Sequence, residues 1–211
     1  KQRTSWINPS PAYDEAVRDF VAQTLSDSPK NQFVVELQAL CERVADAGLV
    51  NALGQVVLKL LSPGVPDIYQ GQEFLDFSLV DPDNRRPVDF AQRVLLLEEL
   101  QRLESKELVS LLRDLVARPQ DGRIKLYVIR KALNARRARH ALFTQGAYLP
   151  LTASGAQQGH VVAFVRHLDN HWALAVAPRL LMRLSPWAKR LERLRSRIDR
   201  FPRLAMKLSP S

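Results

Sequence analysis

The sequence has a single cysteine, Cys41. That excludes an intrachain disulfide framework and any zinc site built on several thiolates. Long apolar runs are also missing. Val56-Val57-Leu58 is cut by Lys59, and no uninterrupted stretch approaches the ~18 residues of a membrane span. The opening residues show no charged-then-apolar leader, so no signal peptide is expected. Asn8-Pro9-Ser10 is barred from glycosylation by its proline. No internal repeat or low-complexity segment occurs. What remains is ordinary in amount: 46% apolar and 25% charged residues among 211. Those proportions permit a sizeable core and exclude wholesale disorder. One or two domains and a reduced, cytoplasmic setting are the expectation.

The formal net charge of +9 is concentrated at one end. Between Arg179 and Lys207 stand ten basic residues and two acids, so the preceding chain is nearly neutral. Nucleic-acid binding by the body of the protein therefore loses its main support.

Periodicity predicts a helix from about Tyr13 to Leu25, with Tyr13, Val17, Phe20 and Val21 on one face. A second is expected over Asn31–Ala47, striped by Phe33, Leu37, Leu40, Val44 and Ala47 and ended by Gly48. A third runs over Val50–Leu61 to the stop Ser62-Pro63-Gly64. The short apolar run Val65–Gln70 reads as a buried strand, although Pro66 lacks a ladder donor. Residues 74–90 have no helical period and read as a long charged loop, a type that is usually functional. Helices resume over Pro87–Glu104, Glu107–Arg118 and Ile124–Arg139. Strands are expected at Tyr148–Leu151, His160–Arg166 and Trp172–Val176, the last two joined by a hairpin turn at Leu168-Asp169-Asn170.

Two blocks hold the chemistry. The first is Pro63-Gly64-Val65-Pro66-Asp67-Ile68-Tyr69-Gln70-Gly71-Gln72-Glu73. If Val65–Gln70 is a barrel strand, Tyr69, Gln70 and Glu73 lie at its end, where α/β barrels place their active sites. The second runs from Leu79 to Asp89 and gathers Asp81, Asp83, Asn84, Arg85 and Arg86. Carboxylates and guanidiniums form strong directional hydrogen bonds, and sugar hydroxyls both donate and accept. Such a loop suits a polyol; chemistry alone places slightly ahead of that an Asp–Arg network that only pins the loop. His167 and His171 are four apart but flank a turn with no third ligand nearby, so no metal is expected. Cys41 reads as a small buried hydrophobe, Trp172 as core, and Trp6 as core or sugar platform.

PGVPDIYQGQE followed by SLVDPDNRRPVDF resembles the maltooligosyl trehalose synthases of the α-amylase family of glycoside hydrolases. RTSWINPSPAYDEAV resembles that family's HTSW stretch, with Arg3 where histidine is usual. The likeness continues through residues 124–151 and 160–180, so it covers about residues 1–181. It implies an α+β fragment. Residues 1–143 would be the C-terminal end of a (β/α)8 barrel, mostly helical with one barrel strand. Residues 144–181 would be a small, truncated antiparallel β domain. It also implies a retaining-type intramolecular transglycosylation, converting an α-1,4 linkage of a maltooligosaccharide into α,α-1,1 without metal or cofactor. The family's catalytic carboxylates lie upstream of the HTSW-like stretch, so no catalytic residue is assigned here. Tyr69, Gln70, Glu73, Asp81, Asp83, Asn84, Arg85 and Arg86 are the expected substrate-binding set, with maltooligosaccharide the partner and neither nucleic acid nor membrane. Isolated from barrel neighbours, the chain is expected to self-associate or to need a partner chain.

Residues 182–211 leave the family pattern. Trp187, Leu191, Leu194, Ile198 and Phe201 make an apolar stripe against arginines. Three readings stand: non-native coding from a shifted or truncated frame, placed first; a helix packed on the β domain; or a basic helix for an anionic membrane or a partner groove. The last supports the alternative function, a non-catalytic interaction module binding anionic membrane, nucleic acid or a partner through its basic C-terminal helix.

Overall fold

The computed structural model describes residues 2–81 and 85–184. The chain forms two compact units, Lys1–Gly48 and Leu49–Ser211.

In the first unit, α1 spans Pro11–Thr24, with Pro11 at its start, where a missing N–H costs nothing. Ser10 N donates to Thr4 Oγ1 at 3.2 Å, and Thr4 Oγ1 donates to Asp14 at 3.2 Å. These bonds tie the opening loop to the first turn. Asn31 Nδ2 donates to Thr24 O and Ser26 O at 2.9 and 3.0 Å, closing the turn between the helices. Helix α2 then spans Gln32–Leu61. One helix replaces the two expected. Gly48 does not adopt a positive φ, so it ends nothing; an interior glycine weakens a helix by only ~1 kcal/mol. This merged helix has an 18-residue window of mean hydropathy 1.4, long and apolar enough to cross a membrane by length and composition alone. The core helix of a soluble protein meets the same measure.

Cys41 is exposed, contrary to expectation. Its stripe neighbours Leu37, Leu40 and Val44 are exposed as well, so nothing among the described residues covers that face.

The second unit begins with the C-terminal part of α2. Arg136 caps that helix: its guanidinium donates to Leu60 O (2.8 Å), Ser62 O (3.2 Å) and Gly64 O (2.7 Å). A cation at a helix C-terminus satisfies orphan carbonyls and the dipole together. Val65–Gln70 is not a strand. A strand exists only with a ladder; Pro66 removes one donor, and the one sheet among the described residues is elsewhere. The apolar character of the run is nonetheless used, because Ile68 packs against Val56, Leu60 and Ile129.

Helix α3 (Phe90–Lys106) starts at Asp89, whose carboxylate accepts from Gln92 N at 2.8 Å. Helices α4 (Leu108–Ala117), α5 (Arg123–Ala138) and α6 (His140–Thr144) follow. Leu100, Leu111, Leu115 and Leu126 form the core between α3, α4 and α5. Above it, Glu104 receives Tyr127 Oη (3.1 Å), Arg130 (2.5 Å) and Lys131 (2.7 Å). Burial opposes its charge, but Lys131 and Arg130 outweigh that and hold the carboxyl below its usual range.

Strands β1 (Ala147–Leu151), β2 (Val161–Leu168) and β3 (His171–Pro178) form an antiparallel meander in chain order. The two-residue turn sits at Asp169-Asn170, between the paired Leu168 and His171. Alternation buries Phe164 and Arg166 on β2 and Ala175 and Ala177 on β3. Arg166 donates to Gly146 O at 2.6 Å and Ala147 O at 3.4 Å. A side chain at Gly146 would meet Leu142 O at 2.3 Å, so only glycine fits there. Trp172 is not core: it is 62% exposed and stacks on His167 at 3.6 Å. Trp6 is fully open at 97%. The proposed amphipathic helix after Ser185 lies outside the described residues.

Candidate functional site

The segment between the end of α2 and the first turn of α3 folds around one guanidinium. Arg93 donates Nη2 to Gly71 O at 2.8 Å, Nη1 to Asp89 O at 2.9 Å, and Nε to Glu73 Oε2 at 3.1 Å. Its face lies 4.8 Å over the Phe74 ring. Both partners of the Glu73–Arg93 pair are mostly buried, at 27% and 17% side-chain exposure. Gly71 turns with φ 89°, and a Cβ there would come within 3.0 Å of Val88 Cγ2. The turn therefore needs glycine twice over. Farther on, Lys125 Nζ donates to Phe74 O at 2.7 Å, and burial, then Lys59, lowers its pKa.

A cleft of about 350 Å³ opens against this frame, lined among others by Gln70, Asp76, Ser78, Arg86, Asp89 and Arg93. Asp76 accepts from Ser78 N at 2.9 Å and Ser78 Oγ at 2.6 Å. The hydroxyl, then the amide, lowers its pKa. The polar part of the wall is thus two carboxylates, Asp76 and Asp89, two guanidiniums, an amide and a hydroxyl. Leu75, Phe77 and Val88 also line it, and the polar groups offer donors and acceptors at close spacing, which fits a polyhydroxylated ligand.

Of the residues expected to bind substrate, Gln70 and Arg86 line the cleft. Glu73 stands behind it, holding Arg93. Tyr69 is 44% exposed and is not part of the wall. Asp81 and Arg85 pair with each other in the open loop, and neither lines the cleft. Asp83 and Asn84 lie outside the described residues. Reading the sequence missed Arg93, Asp76 and Ser78. Arg93 did leave a signal: a cation one turn into a helix opposes the dipole, so a separate partner should hold it there. Among the described residues no group of three or more His, Cys, Asp or Glu is arranged to hold a metal.

No family model matches the chain. Two putative maltooligosyl trehalose synthases of Mycobacterium tuberculosis are 35% identical to it over 189 residues, 90% of this chain and 20% of theirs. The chain is similar to a portion of the maltooligosyl trehalose synthases. It spans about a fifth of the length of the curated relatives it matches. A mutant maltooligosyltrehalose synthase from Arthrobacter ramosus matches with TM-score 0.66 and 39% identity, over 84% of this chain and 21% of that one. A crystal structure of another maltooligosyl trehalose synthase gives 0.62 and 28%, over 83% and 22%. A hypothetical maltooligosyl trehalose synthase from Sulfolobus tokodaii gives 0.58 and 26%, over 83% and 21%.

Proposed function

We propose that this chain is the C-terminal portion of a maltooligosyl trehalose synthase, the end of its (β/α)8 barrel followed by part of a β domain. Its role is to border the sugar site of a cytoplasmic enzyme that turns the reducing-end α-1,4 linkage of a maltooligosaccharide into α,α-1,1. The observation that carries this is the likeness, over nine-tenths of the chain, to segments of enzymes bearing that name.

The reaction divides the labour. A retaining transglycosylation needs a nucleophilic carboxylate and an acid/base carboxylate about 5–5.5 Å apart on either side of the scissile bond. Glu73 is committed to Arg93, and Asp76 to Ser78, so neither is poised for that task. The carboxylates come from the part of the enzyme that this chain does not span. What this chain supplies is positioning: Gln70, Ser78 and Arg86 present polar groups to sugar hydroxyls, and Arg93 fixes the wall on which they stand. Orientation of this kind contributes through entropy lost before the chemical step.

The test is a chimera in which this chain replaces the matching segment of the Arthrobacter ramosus enzyme. Trehalose-ended product from maltopentaose is expected from the chimera and not from the 211-residue chain. An inactive but folded chimera, or turnover by the chain alone in a preparation free of host enzyme, overturns the reading.

A further inference from the structure

Helix α5 reaches the cleft through its first turn. Lys125 Nζ donates to Phe74 O at 2.7 Å, across 51 residues of chain. Gly122 lies flush against the same residue: a Cβ there would meet Phe74 Cδ1 at 3.3 Å and Leu75 N at 3.5 Å. The Phe74 ring packs on the core of Leu100, Leu111, Leu115 and Leu126, with Arg93 over its face. Residue 74 is thus held at its ring and at its carbonyl. The four residues that follow lie in no helix or strand, and two of them, Asp76 and Ser78, bear polar groups of the cleft wall. Binding groups on a loop are placed by the rigid elements that anchor it. The ammonium also acts through its charge. Asp76 and Glu73 face it from the loop and Lys59 from α2. Burial, then Lys59, hold its pKa below the ordinary 10.5, and Asp76 and Glu73 work the other way. In return its charge favours the ionised Asp76, behind the larger effect of Ser78. All these groups belong to the unit Leu49–Ser211.

We infer that Lys125 is a positioning residue for the cleft: through the Phe74 carbonyl it sets the course of residues 75–78, and so the places of Asp76 and Ser78 on the wall. Its consequence for turnover rests on the function proposed above; the anchoring does not. A charged donor bonds about twice as strongly as a neutral one. The anchor therefore weakens as pH rises through the lowered pKa of Lys125, before an ordinary lysine would titrate.

The experiment compares wild type, Lys125→Met and Lys125→Arg in two settings. Methionine keeps the stem without the charge; arginine keeps a charge that does not titrate below about pH 12. In the 211-residue chain, carbon NMR follows the Phe74 carbonyl, Lys125 Cε and the Asp76 carboxyl against pH, and mass spectrometry times chymotryptic cleavage after Phe77. The Phe74 carbonyl and Lys125 Cε should titrate together, with a midpoint below 10.5. In Lys125→Met that carbonyl step disappears, the Asp76 pKa rises, and cleavage after Phe77 quickens at least tenfold. Lys125→Arg should keep cleavage within threefold of wild type and show no carbonyl step. In the chimera carrying this chain in place of the matching Arthrobacter ramosus segment, Lys125→Met should lower kcat/KM on maltopentaose at least tenfold. Lys125→Arg should restore most of it and move the alkaline limb of the pH profile upward. A Phe74 carbonyl that does not titrate with Lys125, or cleavage after Phe77 that Lys125→Met leaves unchanged, overturns the inference. So does cleavage that quickens equally throughout α3, α4 and α5, which would mark a general loss of stability. An active chimera indifferent to Lys125→Met, or whose alkaline limb stays in place in Lys125→Arg, refutes the positioning role alone. An inactive parent chimera, with the chain behaving as expected, refutes the functional reading alone.

Discussion

Replacing Arg93 with alanine should release the wall of the cleft. The guanidinium makes three hydrogen bonds at 2.8–3.1 Å from a side chain that is 17% exposed. Hydrogen bonds to charged groups contribute about 1.5–3 kcal/mol each, but the three share one side chain. Glu73 keeps 27% of its surface in water, so it is partly resolvated when its partner leaves. A net loss of about 2–3 kcal/mol results. At 1.4 kcal/mol per decade that accelerates local amide exchange over residues 71–77 by roughly 30- to 150-fold. Glu73→Gln should cost about 1 kcal/mol, because both carbonyl bonds of Arg93 survive. The double variant should therefore fall short of additivity by about 1 kcal/mol. Arg93→Lys should resemble alanine more than wild type, since an ammonium cannot reach three acceptors in one plane. Exchange over residues 71–77 within threefold of wild type in Arg93→Ala would show that the turn is held by something else.

Other outcomes follow from single sites. Gly71→Ala should destabilise the turn by about 1–2 kcal/mol through its positive φ, and more than Gly64→Ala, which has a similar φ of 95° but no neighbour within 4 Å; urea melts of the two variants compare them. Leu60→Ala removes a side chain with 0% exposure and should cost about 2–5 kcal/mol in the same assay. Glu104 has a lowered folded pKa, so its contribution is present above the ordinary value of 4.5 and is lost as pH falls through the lower folded one. Glu104→Gln should flatten the acid side of the Tm profile in that window. Tyr127 is pushed up to about 12 by burial and by Glu104. Its share of stability is full below pH 10 and is lost as pH rises through about 12; ultraviolet titration should show one tyrosinate appearing late, and Tyr127→Phe should remove it.

Most of the secondary structure was legible because its signals are local. The stripe of α1, the extents of α3, α4 and α5 and the three short strands with their Asp169-Asn170 turn needed no distant partner to be read. The failures share one cause, dependence on distant neighbours. Gly48 looks like a helix end in isolation, but a glycine ends a helix only where the backbone turns to positive φ, and here it does not. Val65–Gln70 has the composition of a buried strand, and no described segment lies beside it to make a ladder. Cys41 and Trp172 were placed inside by residue type, whereas burial depends on what covers a face. Gln70, read from the end of an apolar run, and Arg86, read from charged, aperiodic sequence, both line the cleft. Arg93 was hidden inside a regular helix, and its role depends on Gly71 and Glu73, twenty and more residues earlier.

The most direct measurement is product analysis of the chimera carrying this chain in place of the matching Arthrobacter ramosus segment, alongside Gln70→Ala and Arg86→Ala versions of it. Non-reducing, trehalose-ended oligosaccharide should form in the parent chimera, with kcat/KM reduced about tenfold or more in each variant, the loss of ~1.4 kcal/mol per sugar contact. Equal rates in all three would contradict the claim that residues 70–93 border the sugar, and a folded chimera without product would contradict the claim that this chain is part of such an enzyme.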